Sequence, residues 1–419
     1  MERDIIIVGA GPAGLMAAMD LADMGHATTV IEMKKNMDHL NRACSMQFIM
    51  DEKYEGDILH VADGKLHFEK SGLTVPYSGK LVPVLNKYYH SPSNHIIRFT
   101  REDGKVPFTY KFDKQAMLKE LYDICLDKGV SFMMGTLVMG GKDLGDKVEL
   151  KVKHDDAIEK LVCKKLIIAE GVNAIVSGKF NMNKDRKEST LAYCLKFVME
   201  GIEGVENNSW NLYYGSVYRS GAAPIIGTSL YGDGVYEVTI TGTKYKMPQD
   251  IFNDFTTLSP MAENFKNARI LHKMGCSVKN LMAMSEPCRG NVICIGDCAA
   301  IVEVETQGGL LCGHMAAKAI DAEMSGTDGF SDYTSWWQSS FEFNSDDYLQ
   351  VSAGYGLNFT YTDDELDYLF ALVEGQSLFG TYSQYLTPKE IWGAIHEHNE
   401  KIKTERPELF EKMVKVGQA

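Results

Sequence analysis

Short apolar runs alternate with helical periodicity in the first half of the chain. Residues 4–8 (DIIIV) and 27–33 (ATTVIEM) are short, β-branched and apolar, as buried strands are. The stretch between them has helical character and ends near Gly25. Residues 112–129 place apolar side chains at helical spacing before a glycine stop, and residues 166–169 form another buried-type run. The pattern predicts a βαβ unit at the start of an α/β layer.

Alternating apolar and polar positions predict a second layer of antiparallel strands. These predicted strands lie in a turn-rich, aromatic segment at 60–110 and in a second segment at 190–243. Residues 291–300 return to a buried strand that runs into a loop, and a helix is predicted to follow. Beyond residue 330 the pattern is mostly helical. We therefore predict an α/β fold with an α+β insert: a Rossmann-like domain, an antiparallel β-sheet domain and a helical C-terminal part.

Length and charge restrict the class of protein. At 419 residues the chain exceeds the size of a single core, so two domains or one domain with insertions are expected. The net charge of −14 argues against a nucleic-acid partner, because phosphate contacts need clustered lysine and arginine. No run of 18 apolar residues predicts a membrane-spanning helix, and no secretory signal is visible. We expect a cytoplasmic protein, with peripheral membrane contact left open.

The cysteines do not form a recognisable metal or disulfide pattern. There are nine, an odd number, without a C-x-x-C pair or a Cys/His cluster. Their spacing is atypical of a zinc or iron–sulfur site, so no metal is expected. Reduced thiols are typical of a reducing compartment.

The clearest motif is IIIVGAGPAG, which follows the first strand and opens the first helix. Gly9 permits a tight turn, Gly11 lets the backbone approach a pyrophosphate, and Gly14 allows close packing of helix on strand, with Ala13 between them. The helix N-terminus attracts negative charge. Glu32, at the end of the second strand, can accept both hydroxyls of an adenosine ribose. Together these features predict a dinucleotide site.

Later segments resemble a large flavoprotein superfamily that includes aromatic hydroxylases and geranylgeranyl reductases. VICIGDCAA resembles its second FAD motif, which implies that Asp297 binds a ribityl hydroxyl. TQGGLLCGHMAAKAI resembles the helix that faces the flavin pyrimidine, which implies free N–H groups at Gly308 and Gly309. KLIIAEGVNA resembles a third segment, with Glu170 and Gly171 at its key places. The resemblance implies FAD as the cofactor.

Within that superfamily, the chain looks most like the geranylgeranyl reductase family and the neighbouring electron-transfer-flavoprotein:quinone oxidoreductase-like reductases, over roughly residues 1–325. It differs from aromatic hydroxylases, because GDCAAIVEVETQGG lacks their histidine and proline. It also lacks the Trp-x-Trp-x-Ile-Pro pattern of halogenases and, in NLYYGSVYRSGAAPIIG, the Tyr-x-Trp-x-Phe-Pro pattern of geranylgeranyl reductases.

Cys44 is the candidate catalytic residue. In geranylgeranyl reductases a cysteine shortly after the second strand lies near the flavin ring, often in an Arg-Cys-Gly segment, whereas this chain has RACS at 42–45. A thiol there can donate a proton to the carbon opposite hydride delivery. The alternative is a buried cysteine that acts as a small apolar side chain.

Four charged or titratable residues remain open to two interpretations. Arg42 can bind the FAD pyrophosphate through its guanidinium fork or lie on the surface. Glu303 and Glu305 can act as a base on the substrate side or belong to a solvated loop face. His314 is expected to pack within its helix rather than to take part in catalysis.

We therefore predict an FAD-dependent oxidoreductase that reduces, or dehydrogenates, a carbon–carbon double bond of an apolar or conjugated substrate by hydride transfer from flavin N5. The alternatives are an aromatic monooxygenase and an electron-transfer-flavoprotein-type quinone reductase. No second GxGxxG follows a strand, so the electron donor is expected to be transient, either NAD(P)H or a small redox protein. The predicted domains are an FAD-binding domain (1–60, 111–180, 285–325), a β-sheet substrate domain (61–110, 181–284) and a helical region (326–419).

Overall fold

The structure, a computed structural model, describes residues 2–40, 42–51, 57–219, 222–354 and 356–418. Two eight-stranded sheets and two smaller sheets organise these residues. Helices cover the first sheet, and a mostly helical C-terminal part packs against one end of the second. The predicted combination of an α/β layer, a second β-sheet layer and a helical C-terminal part is observed, although the second sheet is mainly rather than wholly antiparallel, and the boundaries of the three predicted domains stay a prediction.

The first sheet has the order β10-β2-β1-β13-β12-β11, and a short hairpin, β19-β20, extends it from β13. Its strands are β1 (Glu2–Val8), β2 (Thr28–Ile31), β10 (Ser131–Met133), β11 (Thr136–Asp143), β12 (Val148–His154), β13 (Ala157–Ile168), β19 (Cys288–Arg289) and β20 (Val292–Cys294). The strands from β10 through β2, β1 and β13 to β20 are parallel. Because helices lie on such sheets, their strands are continuous apolar runs, and Ile5, Ile6 and Ile7 are fully buried.

The helices of this layer are α1 (Pro12–Asp23), α2 (Lys114–Asp127), α3 (Ile175–Lys179) and α5 (Glu305–Met324). α1 and α5 pack closely, because glycine leaves room for the backbone of α1. A Cβ atom added to Gly313 would lie 2.3 Å from the Ala13 carbonyl oxygen. This contact brings the start of α5 next to the glycine turn that opens α1.

The second sheet has the order β18-β14-β17-β16-β15-β7-β8-β21. Its strands are β7 (Asn86–His90), β8 (Ile96–Thr100), β14 (Glu188–Glu200), β15 (Ser209–Tyr213), β16 (Ile225–Thr228), β17 (Val235–Gly242), β18 (Arg269–Leu281) and β21 (Ser377–Phe379). β14 pairs antiparallel with both β17 and β18. β21 belongs to the C-terminal region that was predicted to be helical. This region therefore also contributes a strand, since Ser377–Phe379 pairs with β8.

Two small sheets and the remaining helices complete the fold. The small sheets contain β3 (Leu59–Ala62), β4 (Lys65–Phe68) and β5 (Thr74–Pro76), and β6 (Leu81–Val84) with β9 (Thr109–Phe112). The helices are α4 (Pro248–Leu258), α6 (Gly329–Ser340), α7 (Tyr348–Ala353), α8 (Leu357–Thr360), α9 (Asp363–Val373), α10 (Leu386–His396), α11 (Asn399–Glu405) and α12 (Pro407–Lys415). None of the helices in the described ranges is long and apolar enough to cross a bilayer.

Candidate active site

The glycine turn between β1 and α1 has the geometry of a dinucleotide-binding loop. Gly9 has φ +104°, and an added Cβ would lie 2.4 Å from the Ala169 carbonyl oxygen. A Cβ on Gly14 would lie 2.0 Å from the Gly9 carbonyl oxygen, so both positions require glycine. Gly11 is different, because a Cβ there would meet nothing within 4 Å. It leaves open space at the N-terminus of α1, where a pyrophosphate would approach.

The surroundings of that space fit an adenosine dinucleotide. The first turn of α1 has no acidic residue to neutralise the positive end of the helix. Glu32 directly follows β2, which ends at Ile31 rather than at residue 33 as predicted. Its Oε2 accepts a hydrogen bond from Ala10 N at 2.8 Å, and its Oε1 accepts one from Lys34 N at 2.9 Å. Each oxygen keeps a lone pair for a ribose hydroxyl.

The second motif lies beside the same turn. Asp297 follows β20, and its Oδ1 accepts a hydrogen bond from Val304 N at 2.9 Å, which fixes the loop between them. Burial, reinforced by the Glu303 carboxylate, raises the pKa of Asp297 to about 6, with Lys114 and Arg42 opposing the shift. Ala13 lies at the junction, since a Cβ on the preceding Gly296 would be 3.4 Å from its methyl group.

The start of α5 differs from the prediction. The helix begins at Glu305, so Gly308 and Gly309 are its fourth and fifth residues, and their N–H groups bond within the helix. The free N–H groups are those of residues 305–307, one turn earlier. Gly309 instead allows the two helices to approach, because its Cβ would lie 3.4 Å from Pro12 Cβ. The role of both glycines in flavin binding stays a prediction.

Three donors hold consecutive carbonyl groups of the segment that contains Cys44, residues 43–46, here called the Cys44 loop. Cys276 Sγ donates to Ala43 O at 3.4 Å, Lys196 Nζ to Cys44 O at 2.8 Å and Lys111 Nζ to Ser45 O at 2.7 Å. The loop ends at Met46, whose φ of 51° is unusual for a residue other than glycine. Donors from β9, β14 and β18 therefore fix the backbone on both sides of the thiol.

Two of these donors belong to a buried charged cluster. Glu237, on β17, accepts hydrogen bonds from Lys196 Nζ at 2.7 Å and from Lys111 Nζ, and all three residues are at most 4% exposed. Burial lowers the pKa of Lys111 to about 8, although the Glu237 carboxylate opposes the shift. The Glu237 carboxylate and two carbonyl groups of the Cys44 loop thus accept hydrogen bonds from the two buried ammonium groups. Sequence analysis missed this cluster; the available signal was a charged residue within each of three apolar strand patterns.

The Cys44 loop borders a cavity of about 180 Å³ between the two layers. The thiol is half-buried, and Lys114 Nζ lies 3.6 Å from Cys44 Sγ. The polar lining includes Lys111, Glu237, Glu303, Glu305, Thr228 and Thr239, and the apolar lining includes Trp210, Ile225, Val278 and Tyr382. The cavity can therefore hold an apolar group against a polar side that contains the thiol.

Arg42 forms an ion pair rather than standing free for phosphate. Its Nη2 lies 2.6 Å from Glu303 Oε1, and both side chains are about one-third exposed. The pair connects the residue before the Cys44 loop to the segment before α5. The predicted contact between Arg42 and a pyrophosphate stays a prediction, but it would compete with this ion pair.

Glu305 is a further titratable group that lines the cavity. Its φ of 59° is strained for a residue with a Cβ, and such strain is concentrated at functional sites. Burial, reinforced by the Glu303 carboxylate, raises the pKa of Glu305 to about 8, with the Lys114 ammonium opposing the shift. Near neutral pH its carboxyl group is therefore largely protonated and can donate a proton into the cavity.

This shift predicts a pH-dependent stability. The folded state holds the Glu305 proton up to about pH 8, whereas the unfolded chain releases it near pH 4.5. The contribution of this proton to the free energy of unfolding is therefore complete below pH 4.5 and is lost as the pH rises through 8. Glu305→Gln should remove a loss of up to about 5 kcal/mol across this window, since one pKa unit corresponds to about 1.4 kcal/mol. Urea unfolding of the flavin-free protein measures it, with the exposed Glu159→Gln variant as control. Equal pH slopes in wild type and Glu305→Gln would refute the assignment.

Two other residues that the sequence analysis considered, His314 and Glu170, contact groups outside the cavity. His314 Nδ1 lies 2.6 Å from Asp20 Oδ2, a hydrogen-bond contact between α5 and α1 that fits the predicted packing role. The Glu170 carboxylate accepts hydrogen bonds from Val176 N and Ser177 N, both at 2.6 Å, and so caps α3. Neither side chain lines the cavity.

Comparison with known proteins relates the chain to flavoproteins. A family model described as pyridine nucleotide-disulphide oxidoreductase matches residues 3–194. A digeranylgeranylglycerophospholipid reductase of Methanococcus vannielii is 21% identical over 355 residues, which are 81% of this chain and 83% of that protein. The corresponding reductase of Methanocaldococcus jannaschii is 23% identical over 391 residues, or 90% and 92% of the two chains.

Solved structures share the fold. A geranylgeranyl bacteriochlorophyll reductase-like protein from Thermoplasma acidophilum superposes with a TM-score of 0.73 at 18% identity over 99% of both chains. A flavin-dependent brominase gives a TM-score of 0.60 at 17% identity, over 96% of this chain and 100% of the brominase. The predicted fold class is confirmed, and the same fold supports halogenation in one of these neighbours.

Proposed function

We propose that this chain, which resembles the geranylgeranyl reductases, is an oxidoreductase that binds FAD and reduces a carbon–carbon double bond of an apolar or conjugated substrate. The observation that supports the proposal most strongly is the fixed position of Cys44. Three hydrogen bonds hold its loop beside a partly apolar cavity that also borders the segment before α5.

FAD would lie along the glycine turn and the start of α5. The N-terminus of α1 at Gly11 would face the pyrophosphate, and Glu32 would accept the adenosine ribose hydroxyls. Asp297 would bind a ribityl hydroxyl, and the free N–H groups of residues 305–307 would face the pyrimidine edge of the ring. When bound, the flavin supplies hydride transfer from its N5 position.

The protein supplies the proton that completes the reduction. Hydride addition to one carbon of the double bond leaves the other carbon carbanion-like. The Cys44 thiol is the proposed acid that donates a proton to this second carbon. Lys114, 3.6 Å from the sulfur, stabilises the thiolate that remains. Glu305, protonated near neutral pH, would return a proton to this side of the cavity.

The cavity lining favours a substrate with an apolar or conjugated reacting end. Trp210, Ile225, Val278 and Tyr382 would cover the substrate, as apolar side chains do in small-molecule sites. We propose a transient electron donor, either NAD(P)H or a small redox protein. The prenyl substrates named for the archaeal relatives make polyprenyl compounds the first class to test.

Anaerobic stopped-flow reoxidation tests the proposed reaction. The purified flavoprotein is reduced with light or dithionite and mixed with enoyl, polyprenyl, aromatic and quinone acceptors. We expect rapid reoxidation by an enoyl or polyprenyl compound. Reoxidation by quinone alone would favour an electron-transfer role, and hydroxylation of an aromatic compound with oxygen and NAD(P)H would favour a monooxygenase.

Gly11→Ala should weaken FAD binding while the protein stays folded. The new Cβ meets no protein atom within 4 Å and the backbone is extended, so the substitution costs little in the fold. The methyl group would occupy the space in which the pyrophosphate approaches the backbone, and we expect a loss of at least tenfold in affinity, about 1.4 kcal/mol. The absorbance ratio of flavin to protein and the thermal midpoint measure both effects.

A matched control is Gly393→Ala, on α10, where an added Cβ also meets nothing within 4 Å. It should keep full flavin content. Wild-type flavin content in Gly11→Ala would contradict the proposed position of the pyrophosphate at the N-terminus of α1.

A further inference from the structure

Cys194 and Cys276 are directly opposite each other in the antiparallel pair of β14 and β18. Directly opposed residues project to the same face, with Cα atoms about 4.5–5.5 Å apart. Disulfides span Cα separations of about 4.4–6.8 Å, so the two thiols are within bonding range without movement of the strands. Neither cysteine was singled out by the sequence, because 82 residues separate them.

The pair is accessible from the candidate active site. Both side chains are half-buried and line the cavity next to the Cys44 loop. Cys194 Sγ lies 3.6 Å from Thr241 Oγ1, and Cys276 Sγ donates to Ala43 O at 3.4 Å. When the Cys276 S–H group turns from Ala43 O towards the Cys194 sulfur, its hydrogen bond lowers the pKa of Cys194 to about 7, although burial opposes the shift. This shift favours the thiolate of Cys194, and thiolates are the reactive form of cysteine.

We propose that Cys194 and Cys276 form a reversible disulfide and that a peroxide is the oxidant. The Cys194 thiolate attacks one oxygen of hydrogen peroxide, the O–O bond breaks, and hydroxide leaves and takes up a proton, which gives a sulfenic acid and water. The Cys276 thiol attacks that sulfur, the S–S bond forms, and a second water leaves. Two electrons pass from the sulfur pair to the peroxide. A small-molecule dithiol restores both thiols by exchange and is itself oxidised to a disulfide.

Disulfide formation would weaken the support of the Cys44 loop. Oxidised Cys276 has no S–H group, so the Ala43 carbonyl loses its donor, while Lys196 and Lys111 keep theirs. This consequence rests on the proposed role of Cys44 in turnover. We expect oxidation to lower turnover by about tenfold, the effect of one lost hydrogen bond on a positioned group, and a reductant to restore it.

Peptide mapping of the FAD-loaded protein tests the disulfide directly. The protein is treated with hydrogen peroxide, alkylated and digested without reductant, and the fragments are identified by mass spectrometry. We expect a cross-linked pair of peptides that contain Cys194 and Cys276 and that separate on reduction. Cys194→Ser and Cys276→Ser should each abolish the cross-link. Cys288→Ser, which alters a half-buried cysteine outside the cavity, should retain it.

Two outcomes would overturn the proposal: a cross-link from Cys276 to Cys44, or oxidation of Cys44 while Cys194 and Cys276 remain alkylatable. The mapping does not depend on turnover. A cross-link in a protein that reduces no alkene would therefore support the disulfide site and refute the proposed reaction.

Discussion

Glu237→Gln will lower the free energy of unfolding by about 3–5 kcal/mol, the cost of leaving buried charges without a partner. The substitution keeps the shape of the side chain but removes the only carboxylate that Lys111 and Lys196 contact within the described part of the chain. Both ammonium groups are buried, so solvent cannot replace the lost partner. Urea unfolding at pH 7 measures the change.

The loss of unfolding free energy caused by Glu237→Gln should depend on pH. Above about pH 8 Lys111 releases its proton in the folded state, so the difference in unfolding free energy between wild type and variant should decrease as the pH rises. Glu149→Gln is the matched control, because Glu149 pairs with Lys160 at 3.0 Å on the surface, and such pairs contribute at most about 1 kcal/mol. A Glu237→Gln effect as small as that of the control would contradict the description of the cluster.

Cys44→Ser will slow the oxidative half-reaction by about 10²–10⁴-fold, the usual contribution of a positioned general acid. Serine preserves the size of the side chain and the three carbonyl contacts of the loop, but a hydroxyl is a far weaker acid than a thiol. The reductive half-reaction should be unchanged, because it requires no proton from this residue. Stopped-flow measurements of the flavin spectrum separate the two steps.

The comparison variant is Cys288→Ser, since Cys288 is also half-buried but does not line the cavity. Both half-reactions should stay at the wild-type rate in that variant. If Cys44→Ser also leaves the oxidative step unchanged, Cys44 is a packing residue, and Glu305 becomes the remaining candidate for the acid.

The glycine turn was predictable from sequence because its geometry is local. Gly9, Gly11 and Gly14 lie within six residues, and strand, turn and helix follow one another directly along the chain. Glu32 could be placed for the same reason, since it directly follows the next strand of the same βαβ unit. The helix start at Glu305 was less predictable, because helix boundaries depend on contacts such as that between Asp297 and Val304.

The buried charged cluster could not be predicted from sequence. Lys111, Lys196 and Glu237 are on three separate strands, and they meet only through the register of β14 with β17 and the position of β9. The pairing of Cys194 with Cys276 likewise depends on the register of β14 with β18, which a shift of one residue would destroy. An isolated polar residue in an apolar strand signals a buried partner but does not identify it.

A single-turnover product analysis tests the central claim most directly. The FAD-loaded enzyme, reduced anaerobically with two electrons per flavin, is mixed with the acceptor that reoxidises it fastest, and the product is identified by mass spectrometry. We predict one product molecule per flavin, heavier than the substrate by two hydrogen atoms at the former double bond. A product that gains an oxygen atom once air is admitted, or flavin reoxidation by a quinone with no reduced alkene, would contradict the account.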